Sequence, residues 1–148
     1  MNNNASISDA KALAVETLHR EGCSCVIAKD GAIKQYHNRG VKDLLYLLKN
    51  EPEALDGAFV ADKVVGKGAA ALMALGCVDS VYADVISSPA LEMLGKAKVV
   101  VEYGECVPNI INRAGDGICP VENLCKDCIM PEECLPLIEQ FVNEMSKK

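Results

Sequence analysis

Aromatic residues are scarce: the chain of 148 residues has no Trp, two Phe and four Tyr. Its core therefore has to be assembled from Val, Ile, Leu, Ala and Met. An excess of positive charge is also missing. Twenty-one acidic residues stand against fifteen Lys and Arg, for a net charge of −6, which argues against a general nucleic-acid binder because little is left over to neutralise a run of phosphates. No apolar run reaches the roughly 18 residues of a membrane-spanning helix. Met1–Ser6 has neither a basic start nor an apolar stretch, so the sequence predicts no secretory leader and a cytoplasmic location.

What is present suits one domain over residues 1–148, with 1–7 predicted as a disordered tail. A chain of this length buries roughly 70% of its unfolded surface, enough for a full core without disulfide staples. Ala10, Leu13, Ala14 and Leu18 form one helical stripe, predicting a helix over 9–20 with Ser8 as N-cap and His19 and Arg20 in the last turn. His19 is then a cation at a helix C-terminus, and His37 a solvated loop residue. Val26–Ala28 and Ile33–Tyr36 flank Asp30-Gly31, a favoured two-residue turn, so 23–37 reads as a hairpin. A second helix over 41–49 ends at Pro52.

Two strand–helix units follow in tandem. Strand 58–61 leads through Asp62–Gly68 to an Ala-rich helix ending Leu75-Gly76. Strand 80–86 leads through Ser87-Ser88-Pro89 to a helix ending Leu94-Gly95, and strand 97–103 closes the series. Ser88 as N-cap with Pro89 at the first helical position is a specific helix start. Such units imply parallel strands with right-handed crossovers. The expected fold is a three-layer α/β/α domain with a mixed five-stranded sheet and an N-terminal hairpin. A loop over 108–117 and a final amphipathic helix complete the chain, with Pro136 in or near the first turn of that helix.

The element order resembles the cytidine-deaminase-like fold. The blocks Ala61-Asp62-Lys63-Val64-Val65-Gly66-Lys67-Gly68-Ala69-Ala70, Ser87-Ser88-Pro89, Asn112-Arg113 and Asp116-Gly117-x-Cys119-Pro120-x-Glu122 are similar to an uncharacterised bacterial and archaeal domain family of that fold. Zinc deaminases place a His or Cys ligand at one helix start, a Glu two residues later, and two cysteines at the next helix start. The matching positions here are Val65, Lys67 and Pro89-Ala90-Leu91-Glu92. The resemblance thus implies the fold without the zinc chemistry, and no zinc or other cofactor is expected at that position. Relatives of the fold often self-associate, and Ala- and Val-rich faces point the same way, so a homo-oligomer is expected.

Ligands of open α/β sheets bind beyond the carboxyl ends of the parallel strands. Asp62–Gly68, Ser87–Pro89 and Asn109–Asp116 should meet there. Two of these segments open helices, whose free N–H groups favour an anion. Gly66 and Gly68 would admit a ligand close to the backbone. Lys63, Lys67 and Arg113 would add charge, Ser87 and Ser88 donors, and Asp62, Asn112 and Asp116 acceptors for hydroxyl or amino groups. A nucleotide or other phosphorylated small molecule is the expected partner. The bland alternative is that both glycines relieve crowding and both lysines are solvated.

Eight cysteines remain, four of them spaced Cys119-x5-Cys125-x2-Cys128-x5-Cys134. Four thiolates could hold zinc or an iron–sulfur cluster, and a Cys-x-x-Cys pair could cycle as a disulfide. A small metal or redox protein is therefore the second reading, though the outer spacings match no common signature.

Overall fold

The structure is a computed structural model describing residues 3–38, 41–112 and 114–146. Helix α1 (Asn3–Glu21) begins inside the segment expected to be a tail. Strands β1 (Cys25–Lys29) and β2 (Ala32–Tyr36) pair antiparallel, Lys29 opposite Ala32. Asp30 and Gly31 between them both have positive φ, 54° and 81°, the geometry that matches the right-handed twist of a hairpin. Helix α2 (Lys42–Asn50) and a 3-10 turn over Pro52–Ala54 lead to β3 (Phe59–Val65), α3 (Lys67–Leu75), β4 (Ser80–Ser87), α4 (Ser88–Lys96) and β5 (Val100–Val107). Short helix α5 (Pro120–Leu124) and long helix α6 (Pro131–Ser146) complete the chain.

The sheet order is β2-β1-β3-β4-β5. β1 is antiparallel to β2 and β3, whereas β3, β4 and β5 run parallel. This is the expected mixed five-stranded sheet with helices on both faces, unequally shared. Helix α1 packs alone on one face over Val26, Ala28 and Ala61. The other helices cover the opposite face around a core that includes Leu47, Leu55, Val60, Leu72, Met73, Ile86, Leu94 and Ile138. Side chains of a strand alternate between faces, yet Val60 and Val65 reach the same core, as do Val81 and Ile86. An odd separation requires a slip in the alternation, and it falls in the middle of both strands. Val64 is turned out to 47% exposure as a result.

Several boundaries differ from expectation. β3 does not stop at Ala61 but runs on to Val65, so Asp62 and Lys63 are strand residues, not part of a ligand loop. Polar side chains hid this, because a short apolar run is read as ending at its first charged residue. β5 is displaced towards the C-terminus, over 100–107 where 97–103 was expected. The N-cap of α4 is Ser87, whose hydroxyl accepts from the Ala90 amide at 3.2 Å; Ser88 is already helical. The Leu-Gly pairs do not supply the left-handed residues after α3 and α4. Cys77 and Lys98 adopt positive φ there. Pro136 lies inside α6, past its first turn. His19, expected as a helix-end cation, also reaches Asp84 of β4 at 2.6 Å, and Tyr82 donates to the same carboxylate oxygen at 2.8 Å.

Candidate functional site

The carboxyl ends of β3, β4 and β5 deliver the starts of α3 and α4 and the 108–119 loop to one edge of the sheet. Glu122, on α5, fills the space between them. It is 2% exposed. Its Oε1 accepts the backbone N–H of Lys67 at 2.8 Å and the Ser87 hydroxyl at 3.0 Å, and its Oε2 accepts the Ile110 amide at 2.6 Å. A carboxylate thus sits where an anion is favoured at the N-terminus of α3. The start of α4 is likewise satisfied from within, by Ser87.

The two glycines face protein, not a ligand. A Cβ on Gly68 would lie 2.4 Å from Val121 Cγ1, and one on Gly66 would lie 3.3 Å from Ile110 Cγ1 and 3.5 Å from Glu122 Oε1. They admit α5 and its carboxylate, which is the crowding alternative. Gly68→Ala is expected to lose about 1–3 kcal/mol through forced displacement of α5. Chemical unfolding should show the loss, and Val121→Ala in the same chain should recover part of it.

Lys67 is buried, with its Nζ donating to the carbonyls of Lys126 (3.1 Å) and Cys128 in the turn between α5 and α6. Among the described residues it makes no ion pair. An ammonium has three donors, and two are used. Beside it opens a cleft of about 510 Å³ lined by Lys67, Ser88, Lys96, Asn109, Lys126 and Cys128, among others. Glu92 also lines it and pairs with Lys96 at 3.2 Å. Three lysines against one carboxylate make this a cationic hollow on an acidic protein.

Of the expected site residues, Lys67 and Ser88 line this cleft. Ser87, Gly66 and Gly68 lie beneath it in the packing just described. Asp62 is buried within β3 and does not line the cleft, nor does Lys63. Asn112 and Asp116 are spent on their own loop. The Asn112 side chain donates to Asp116 at 2.9 Å and accepts the amides of Gly115 and Asp116, closing a turn held by the Ile111–Ile118 bridge. Arg113 lies outside the described residues. Sequence reasoning missed Glu122 as an internal anion and Lys96 and Lys126 as lining cations. The signal for Glu122 was there, a Glu two residues beyond Pro120 in an acidic first turn.

The positions matching zinc ligands do not fit that metal, since the side chains of Val65 and Ala90 have no N, O or S donor atom; both are fully buried in the core. Of the four C-terminal cysteines, Cys125 and Cys134 are fully buried in the core, and Cys119 and Cys128 are half-buried. Among the described residues no group of three or more His, Cys, Asp or Glu is arranged to hold a metal ion. No helix among them is long and apolar enough to cross a membrane.

Residues 13–142 match the model of a domain of unknown function, DUF1893. A crystal structure of a DUF1893 family protein from Thermotoga maritima is similar to this chain with a TM-score of 0.81 and 27% identity, covering 89% of each chain. A diaminohydroxyphosphoribosylaminopyrimidine deaminase/5-amino-6-(5-phosphoribosylamino)uracil reductase from the same organism gives a TM-score of 0.44 at 14% identity, covering 70% of this chain and 37% of that one. No curated protein matches.

Proposed function

We propose that this chain, which belongs to the DUF1893 family, binds a phosphorylated small molecule, a nucleotide in the first instance, in the cleft between α4 and the α5–α6 turn. The observation that carries this reading is Lys67. A buried ammonium without a carboxylate partner is costly, and its third donor position is available beside the open cleft. Lys96 and Lys126 add charge at the rim, and Ser88 and Asn109 add neutral hydrogen-bonding groups. The volume falls in the range of small-molecule sites. Phosphate is favoured over carboxylate because several separated donors can each engage a different oxygen.

The chain's own residues supply binding and orientation. Lys67 holds a fixed position because two carbonyls clamp it, while the rim lysines can follow the ligand.

Thermal shift with pyrophosphate, AMP, ATP and adenosine tests the reading. A phosphate-bearing ligand at a hundredfold over its dissociation constant should stabilise by about 2.7 kcal/mol, and adenosine should stabilise less. Lys126→Ala and Lys96→Ala should each weaken binding about tenfold, the loss of one charge-assisted hydrogen bond. No shift with any of the phosphates would overturn the reading.

A further inference from the structure

One edge of the sheet is left open. β5 pairs with β4 alone, and six of its eight residues are exposed, Val100 to 64%. An edge strand offers a row of unpaired N–H and C=O groups, which proteins blunt with Lys, Pro, a bulge or a covering element. The opposite edge, β2, carries Lys34. β5 has neither Lys nor Pro, and it keeps one offset against β4 from Val100 to Val107, without a bulge. Gly104 at its middle adds no side chain to shield the backbone.

A hollow of about 190 Å³ adjoins this edge, lined by Ala12, Val15, Phe59, Tyr82, Val100 and Glu102, among others. Phe59, Ser80 and Val100 form one row across β3, β4 and β5, and Ala61, Tyr82 and Glu102 form another. Residues of one row share a face, and Phe59 and Ala61 pack on the α1 side. Ser80 therefore points to that side too, and it lines the hollow. It is 5% exposed, and its hydroxyl has no hydrogen-bond partner among the described residues. A buried hydroxyl without a partner is costly. Lys11, the one cation lining the hollow, lies 5.6 Å from the Phe59 ring centroid and makes no ion pair with Glu102.

Charge along the edge selects the occupant. Glu102 and Glu105 are both exposed and, among the described residues, neither is in an ion pair. Pairing β5 with its own copy would bring both carboxylates of both chains to one seam, where like charges repel. An incoming strand bearing Lys or Arg meets them favourably. We propose that β5 and the hollow receive an extended basic segment of a partner protein. Its main chain adds a strand to the sheet. One Lys or Arg lays its apolar stem in the hollow, with its charged head against Glu102 and the Ser80 hydroxyl, and another meets Glu105.

The test uses full-length protein and the capped octapeptide of alternating Lys and Thr, with hydrogen exchange of the β5 amides as readout. The basic peptide should slow exchange over residues 100–107. The same peptide with Glu in place of Lys should need at least about tenfold more for equal protection, and so should the basic peptide N-methylated at every residue, which has no N–H to donate. Glu102→Lys with Glu105→Lys should invert the preference between the Lys and Glu peptides. Ala12→Leu, at an exposed position that fills the hollow, should weaken the basic peptide about tenfold with an unchanged melting temperature. Equal protection by Lys and Glu peptides, or by the N-methylated peptide, would overturn the proposal. So would a dimer in sedimentation whose β5 amides are already slow without peptide, since a second copy would then hold the edge. The hollow lies on the α1 face and the phosphate cleft among the helices of the other, so the two readings fail separately.

Discussion

Replacing Glu122 by Ala is expected to lower stability by about 3–5 kcal/mol, because it takes the acceptor from three buried neutral donors without leaving any of them a new partner. Three donors lose their acceptor at once: the Lys67 amide, the Ser87 hydroxyl and the Ile110 amide. Each buried unsatisfied group costs about 1–3 kcal/mol. At about 2–4 °C per kcal/mol for a domain of this size, the melting temperature should fall by about 10 °C. Glu122→Gln should lie between the two. Its amide oxygen, placed at the Oε1 position, still serves Lys67 and Ser87, but its NH2 group then opposes the Ile110 amide. The Ala variant leaves three donors around a vacated space at a helix N-terminus, so acetate or formate should restore part of the stability by binding there. Wild type should not respond in the same way, because its carboxylate already occupies the position. An Ala variant as stable as wild type would show that the carboxylate is not what joins these three segments.

The same residue shows what the sequence could and could not convey. Local patterns were legible wherever one short segment sets the structure. Examples are the stripe of Ala14 and Leu18, from which Leu13 departs by being 43% exposed, the Asp30-Gly31 turn, Pro89 at a helix start, and the tandem strand–helix units that dictate parallel pairing. The site edge was legible too, since the topology alone brings the starts of α3 and α4 to the ends of β3 and β4. Its occupants were not. Whether a helix N-terminus awaits a ligand or is already filled depends on a group 55 positions away in the chain, and no periodicity records that. Lys67 was read for its charge and does face the cleft, but the turn that holds it lies in α5–α6. Gly66 and Gly68 were read for their openness, and their use is to admit α5. Asp62 and Lys63 were read as loop residues because polar side chains in a short segment suggest a turn. Only the tertiary packing buries Asp62.

That burial leads to the second large effect, a pH dependence in the opposite direction to that of most carboxylates. Asp62 is paired across from Cys25 of β1 and Ala83 of β4. Burial raises its pKa from 3.8 to about 7, against the lowering by hydrogen bonds from the Val64 and Lys63 amides; the charge of Asp84 raises it further. The folded state therefore holds a proton that the unfolded chain releases near pH 4. Between about pH 4 and pH 7 the native state binds more protons, so stability falls as pH rises. The contribution is fully present below the unfolded pKa and is lost through the folded pKa. Three pH units at about 1.4 kcal/mol each give a loss of about 4 kcal/mol. Asn at this position keeps an acceptor for the Val64 amide, which lies 3.3 Å from Oδ1, and never ionises. Asp62→Asn should therefore match wild type near pH 4 and exceed it by about 2–4 kcal/mol at pH 8. Urea unfolding of both proteins across this range measures the difference, and other titrating groups cancel because both chains share them. Parallel stability profiles would mean that Asp62 is solvated in the native state. Its place in β3 would then have to open to water, and it would regain the access to ligands that the present packing denies it.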